Sequence, residues 1–179
     1  KPFFADIGAQ GVDALQCQEH PELEAIRHVH TAGNSPAMAD AASLILIGDE
    51  SLSETLGQPP RAKIVAMATV CDDPLEVVSG CAKATATLMR QHNLKASDID
   101  LFELHEAFAA TSIKCQLTLG IGDEKLNVNG GCIALGHPMG ATGGIMMGTL
   151  LDELERRKST TGIVAASGAA GSGTAILIQ

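Results

Sequence analysis

The order of elements predicts an α/β fold: a mixed sheet covered by helices on both faces, a layered α-β-α arrangement. Two observations carry the prediction. From residue 62 onward, short apolar runs alternate with longer amphipathic segments in the order β-α-β-α-loop-α-β-β. Aromatic residues are only 2% of the chain, with no Trp or Tyr, while 45% of residues are hydrophobic. Its core must therefore be built from Ala, Leu, Ile, Val and Met, which suits helices packed closely on a sheet.

The elements follow in order. Residues 1–28 carry scattered charges, weak periodicity and a Pro near each end, and do not read as the start of a compact domain. The chain opens on Lys1 rather than Met, so it is expected to belong to a longer protein. Residues 29–42 read as a turn leading into an Ala-rich helix, and 43–47 (Ser-Leu-Ile-Leu-Ile) as a short buried strand. Gln58-Pro59-Pro60 breaks the chain and marks a domain boundary, giving segments 1–58 and 59–179. Beyond it, 62–69 is a strand and 82–92 an amphipathic helix with Ala84, Leu88 and Met89 inward. Residues 98–104 form a strand burying Ile99 and Leu101, and 105–117 a helix that starts at once. A helix over 141–157 presents Ile145, Met146, Gly148, Thr149 and Leu150 to the core, and Asp152, Glu153, Glu155, Arg156 and Arg157 to water. Residues 162–167 form a buried strand, and a Gly/Ala turn at 168–173 leads to the last strand, 174–178.

The net charge of −9 and the lack of a basic patch argue against nucleic acid as a partner. The longest basic run, Arg156-Arg157-Lys158, complements a helix C-terminus. No apolar run reaches transmembrane length, and no signal peptide is visible. The five cysteines are an odd number without framework spacing, which reads as reduced thiols of a cytoplasmic protein. Cys17, His20, His28 and His30 are loosely spaced like metal ligands. They lack a tight Cys/His pair and are interleaved with Glu19, Glu22 and Glu24, so no metal site is expected.

The chemistry concentrates in 127–144, Asn-Val-Asn-Gly-Gly-Cys-Ile-Ala-Leu-Gly-His-Pro-Met-Gly-Ala-Thr-Gly-Gly. It sets His137 between a glycine and a proline, just ahead of a helix. Pro138 restricts His137 to extended or turn geometry, so the imidazole sits on a stiff loop suited to proton transfer. Two further loops converge with it at one end of the strands. His105 sits at a strand-to-helix junction, where its side chain can project from the helix start. Ser167 ends a strand ahead of Gly168-Ala-Ala-Gly-Ser-Gly173, whose backbone N–H groups can face an oxyanion. Singly, each has an ordinary structural account: a capping His, a solvated His, a small residue in a turn.

Together these motifs resemble the thiolase family. They are His-Glu-Ala-Phe at 105–108, Asn-Gly-Gly-x-Ile-Ala-Leu-Gly-His-Pro-x-Gly-Ala at 129–141 and the closing Gly-Ser-Gly turn. Thr-Ala-Gly-Asn-Ser at 31–35, Asp-Ile-Asp-Leu-Phe-Glu at 98–103 and Leu-Leu-Asp-Glu-Leu at 150–154 are similar as well. The likeness covers about 29–179: the end of a first thiolase half and all of a second. His-Glu-Ala-Phe in place of Asn-Glu-Ala-Phe resembles thiolases of fatty-acid β-oxidation, especially the trifunctional type.

The resemblance implies acyl transfer between coenzyme A thioesters, as Claisen condensation or thiolysis of a 3-ketoacyl-CoA, with acyl-CoA as substrate and no covalently bound cofactor. It also implies a homo-oligomer, dimer or tetramer. A nucleophilic Cys of the first half would carry the acyl group. His137 would activate that thiol and form half of an oxyanion hole that His105 completes, directly or through a water. The Ala169 N–H would serve a second hole, and Ser35 would touch the pantetheine arm. Such chemistry suits a thiolate with a neighbouring base.

Four departures stand out. No cysteine here lies in the nucleophile's context, and Cys132 occupies what is usually an Ala. The proton-shuttling Cys of the family's Cys-x-Gly turn is Ser167, whose hydroxyl does not ionise where a thiol of pKa about 8.5 does. That turn's Gly is Ala169, which keeps the N–H but narrows φ. A family Ser is Pro36, with Ser35 one position earlier. Two readings follow: part of a thiolase whose nucleophile lies outside this chain, or a catalytically impaired thiolase-like domain kept for CoA-ester binding or assembly. An α/β-hydrolase using Ser167 is disfavoured, because Gly-x-Ser-x-Gly is lacking.

Overall fold

The computed structural model describes residues 1–179. Its first segment carries three short helices: α1 (Ala5–Ile7), α2 (Asp13–Glu19) and α3 (Glu50–Leu56). A π-helical turn at Gly8–Val12 joins the first two, and the Asp49 carboxylate caps α3 by accepting the Ser51 N–H. The expected helix over the Ala-rich stretch before residue 42 is absent, as is the expected buried strand at 43–47. Residues 39–49 carry no regular structure, and Leu44 is 96% exposed. Leu46 and Ile47 are exposed as well, and the Ser43 hydroxyl donates to the Ala141 carbonyl (3.0 Å). Further back, Met38 bridges His137 and the Ala37 carbonyl accepts the His137 N–H at 2.8 Å.

The second segment builds the sheet. Its elements are β1 (Ile64–Cys71), α4 (Gly80–Gln91), β2 (Leu101–Leu104), α5 (Ala109–Leu119), α6 (Cys132–Leu135), α7 (Thr142–Arg157), β3 (Gly162–Ser167) and β4 (Ser172–Ile178). Strand order is β1-β4-β3-β2, with β4 antiparallel to both neighbours and β3 parallel to β2. The sheet is therefore mixed, as expected. Strand alternation then sorts the core into two layers. Phe102, Leu104, Ile163, Ala165, Ala175 and Leu177 meet α4 and α5 on one face, while Leu101, Val164 and Ile178 meet α7 on the other. Leu88 of α4 and Leu150 of α7 are essentially fully buried, each contributing about 2 kcal/mol by burial.

Three local expectations shift. The helix after β2 begins at Ala109 rather than residue 105, because the His105 N–H continues the β2–β3 ladder onto the Ala165 carbonyl (2.9 Å). The Ala109 N–H then pairs with the Asn34 carbonyl, which fixes the helix start four residues later. Met147 and Leu154 join the buried face of α7, while Ile145 is only half-buried. Glu153, expected in water, is 3% exposed: Arg156, Arg157 and the Asn129 amide (3.1 Å) close around it. The two arginines thus turn back on this carboxylate, beyond any complement to the helix dipole.

No helix is long and apolar enough to cross a membrane.

Candidate active site

The site grows from the outer edge of β2. There Asn127 acts as a strand in miniature: its side-chain oxygen accepts the Leu104 N–H (2.8 Å) and its amide donates to the Leu104 carbonyl (2.9 Å). The same amide donates to Glu106 (3.1 Å), whose other oxygen accepts the Ile133 N–H at the start of α6 (2.9 Å). Glu106 therefore ties the residue after His105 to the turn before His137. A Cβ on Gly131 would lie 2.3 Å from that carboxyl group, so any larger residue would push the carboxylate off its place. Gly136 has φ 94°, the left-handed region, which lets the chain swing His137 back towards β2.

The outcome is a pair of imidazoles. His105 and His137 have ring centroids 4.5 Å apart, tilted by 41°. Nδ1 of His137 lies 2.7 Å from Thr142 Oγ1 at the first residue of α7. With Nδ1–H as donor to that hydroxyl, Nε2 keeps its lone pair and faces the site as a base. Burial lowers the His137 pKa, so the neutral form prevails near pH 7. Burial, and then the neighbouring His137, push His105 down to about 4, partly opposed by the Ser167 carbonyl.

Ser167 closes the group from β3. Its Oγ accepts the Cys81 N–H at 2.8 Å, at the N-terminus of α4. The Ala169 N–H makes no hydrogen bond within the chain, and the residue is exposed. Left-handed backbone falls on Ala170 (φ 56°) and Gly171 (φ 75°) instead, so the Ala at 169 carries none of the strain its place in the turn implied. Ser35 is buried beside the start of α5, with its hydroxyl 3.5 Å from Asn34 Oδ1. Cys17, His20, His28 and His30 do not gather: His28 pairs with Asp13 (2.8 Å), His20 with Glu22, and His30 stacks on Phe108.

Residues 58–179 match the family described as Thiolase, C-terminal domain. The chain belongs to the thiolase family. It is 41% identical over 177 residues to a 3-ketoacyl-CoA thiolase of Yersinia pestis, covering 97% of this chain and 45% of that protein. To a 3-ketoacyl-CoA thiolase of Cronobacter sakazakii it is 39% identical over 174 residues, covering 96% and 44%. Among solved structures it is similar to the Bacillus anthracis acetyl-CoA acetyltransferase, with TM-score 0.78 and 34% identity over 83% of this chain and 38% of the other. Human mitochondrial 3-ketoacyl-CoA thiolase gives TM-score 0.75 and 32% identity over 84% and 38%. The chain thus spans less than half the length of these thiolases.

Two residues that hold these loops together were not singled out in the sequence, and a third, Cys132, was noted only as a departure from the family pattern. Glu106 and Asn127 look like ordinary polar loop residues, and only the folded chain shows them joining two loops. Cys132 is buried, and its ligand atom lies within 4.8 Å of ring nitrogens of both His105 and His137. The signal was there: a Cys five residues before His137, where the family usually has Ala. Burial, followed by the Glu106 and Glu103 carboxylates, raises its thiol pKa.

Glu103 supplies a pH test of this core. Burial first, then Glu106 and Glu153, lift its pKa to about 8. Its folded pKa lies above the unfolded value, so the stability it permits is full below about pH 4.5 and is lost as pH rises through about 8, at about 1.4 kcal/mol per pH unit. His105 works the other way: held neutral when folded, it costs stability as pH falls from about 6.5 to about 4. Glu103→Gln should therefore gain on the parent chain in melting temperature as pH rises from 5 to 9. A difference that stays constant with pH would show that Glu103 is ionised in the fold.

Proposed function

We propose that this chain is the C-terminal part of a thiolase-type acyltransferase, joining or splitting acyl chains carried as coenzyme A thioesters. In this reading, segment 1–58 is the tail of a first thiolase half and 59–179 the C-terminal domain. The nucleophilic Cys comes from the remainder of that first half, outside these 179 residues. The observation that carries the reading is the His105–His137 pair, a buried imidazole against a half-buried one, with the Thr142 hydroxyl at Nδ1 of His137.

The proposed chemistry runs as follows. His137 Nε2 takes the proton of the incoming Cys thiol, and the thiolate attacks the 3-keto carbonyl of the substrate. Cα–Cβ cleavage leaves the acyl group on the Cys, and the departing acetyl-CoA enolate takes a proton at Cα from water near Ser167. The thiol of free CoA, giving its proton back to that water, then attacks the acyl-Cys thioester, releasing acyl-CoA while protonated His137 returns its proton to the Cys thiolate. Neutral His105 offers a ring N–H to one developing oxyanion, His137 adds the Nε2–H it has just gained from the thiol, and the free Ala169 N–H suits the second. Ser167 stands where the α-proton is handled, and buried Ser35 supports the loop toward the pantetheine arm. Acyl-CoA is the substrate, with no covalently held cofactor. The five free cysteines fit a reducing cytoplasm, and a homo-oligomer is the expected assembly.

A second reading is favoured by one observation: the Ser167 hydroxyl is occupied by the Cys81 N–H. This reading is a thiolase-like domain kept for CoA-ester binding or subunit assembly. The two separate in an assay of this chain joined to its first half, with a 3-ketoacyl-CoA and free CoA. CoA-dependent loss of the 3-ketoacyl-CoA is the expected result. Binding of the ester with no turnover would leave only the second reading.

A further inference from the structure

His105 is a buried residue with nothing to do in the fold as it stands. It is 6% exposed, yet neither ring nitrogen makes a hydrogen bond. A buried polar group in that condition carries an uncompensated desolvation cost, and native chains ordinarily remove it with a partner. The Ser167 carbonyl is near enough to act on the ring, and two further metal ligands stand beside it. One ligand atom each from His105, Cys132 and His137 lies within 4.8 Å of the other two.

These three come from three separate elements: the end of β2, the first residue of α6 and the loop before α7. The Asn127–Glu106–Ile133 bonds clamp them together. Thr142 holds Nδ1 of His137 and leaves Nε2 facing inward, the outer-shell support that metal-bound histidines usually have.

We propose that His105, Cys132 and His137 form a three-ligand site for a borderline-soft divalent cation of the Zn²⁺ class, with the fourth position open. Two imidazoles and a thiolate are the donor set that selects Zn²⁺ and its neighbours, and the absence of oxygen donors disfavours Mg²⁺ and Ca²⁺. Bond lengths of about 2.0–2.3 Å place tetrahedral ligand atoms about 3.3–3.6 Å apart, so the trio needs to close by about 1 Å. On binding, the Cys132 thiol loses its proton to solvent and the cation takes the thiolate. Because both histidines also carry the proposed acyl transfer, a bound cation and turnover exclude one another. That consequence rests on the thiolase reading, whereas the binding itself does not.

The test is a titration of the full chain with Co²⁺, which takes Zn²⁺ sites and reports thiolate ligation by a charge-transfer band in the near ultraviolet. The expected result is a band that saturates at one Co²⁺ per chain and is displaced by Zn²⁺. Cys132→Ala should abolish the band, and His105→Ala should weaken Co²⁺ binding at least tenfold. Cys17→Ser, in the scattered N-terminal group, should leave both unchanged. No band, or one that survives in Cys132→Ala, would overturn the proposal. A second measurement avoids any folding defect of the variants: with the parent chain, Zn²⁺ should slow alkylation of Cys132 while leaving exposed Cys71 unaffected, as read by peptide mass. Equal rates at Cys132 with and without Zn²⁺ would overturn it as well.

Discussion

Replacing His137 by Ala in the assembled protein should lower the rate of 3-ketoacyl-CoA thiolysis by about 10³-fold or more. General-base assistance is worth about 10²–10⁴-fold and an oxyanion donor about 10²–10³-fold, and this side chain is placed to supply both. The two losses do not add, because one ring performs both tasks. The geometry makes the residue hard to replace. Thr142 holds Nδ1 at 2.7 Å, Gly136 supplies the φ of 94° that turns it inward, and the His105 ring centroid lies 4.5 Å away. A steady-state comparison of kcat and kcat/KM checks the claim. If the variant turns over at the parent rate, His137 is not the base.

Ser167→Cys should raise the rate of condensation or thiolysis at least tenfold in the same assembly. The reason is where the side chain sits. Oγ of Ser167 accepts the Cys81 N–H at 2.8 Å, at the N-terminus of α4, where backbone donors and the helix dipole favour negative charge. A thiol there would have its pKa lowered into the range useful for moving a proton, whereas a hydroxyl stays un-ionised in the same field. Sulfur is larger than oxygen, and the partly exposed site leaves it room. The rate of α-proton exchange in acetyl-CoA provides a direct reading. Unchanged exchange in Ser167→Cys would remove position 167 from the proton-transfer path and leave the domain to a binding or assembly role.

Much of this was legible in the sequence, and the misses share a cause. The sheet and its flanking helices could be read from 62 onward because each strand is paired and each helix face covered inside the chain. Ile163 and Ala165 meet one layer of helices and Val164 the other, so local pattern and final environment agree. The stretch 36–47 differs because a short apolar run does not by itself say whether any element covers it, and here none pairs with 43–47. Leu44 and Leu46 are exposed, and the pattern alone cannot reveal what they would pack against. The helix assigned to 105–117 began too early because a tertiary bond, His105 N–H to Ala165, overrode helix propensity. Glu153 looked like a water-facing residue until Asn129, from a loop 24 positions earlier, closed over it. The two histidines and Ser167 stand out in the sequence because their motifs are local, and the fold brings the two histidines together. Glu106 and Asn127 do not stand out, and Cys132 does so only as a departure from the family pattern, since their contacts arise only on folding.

One measurement bears most directly on the central claim that these histidines serve an acyl-transfer site. The assembled protein is mixed in a single turnover with a 3-ketoacyl-CoA, quenched, and its intact and peptide masses are taken. The account predicts an acyl thioester on one cysteine outside these 179 residues, formed together with acetyl-CoA and discharged by free CoA. Acyl-enzyme that never forms while the ester still binds would contradict it, as would an acyl group found on Cys132 alone.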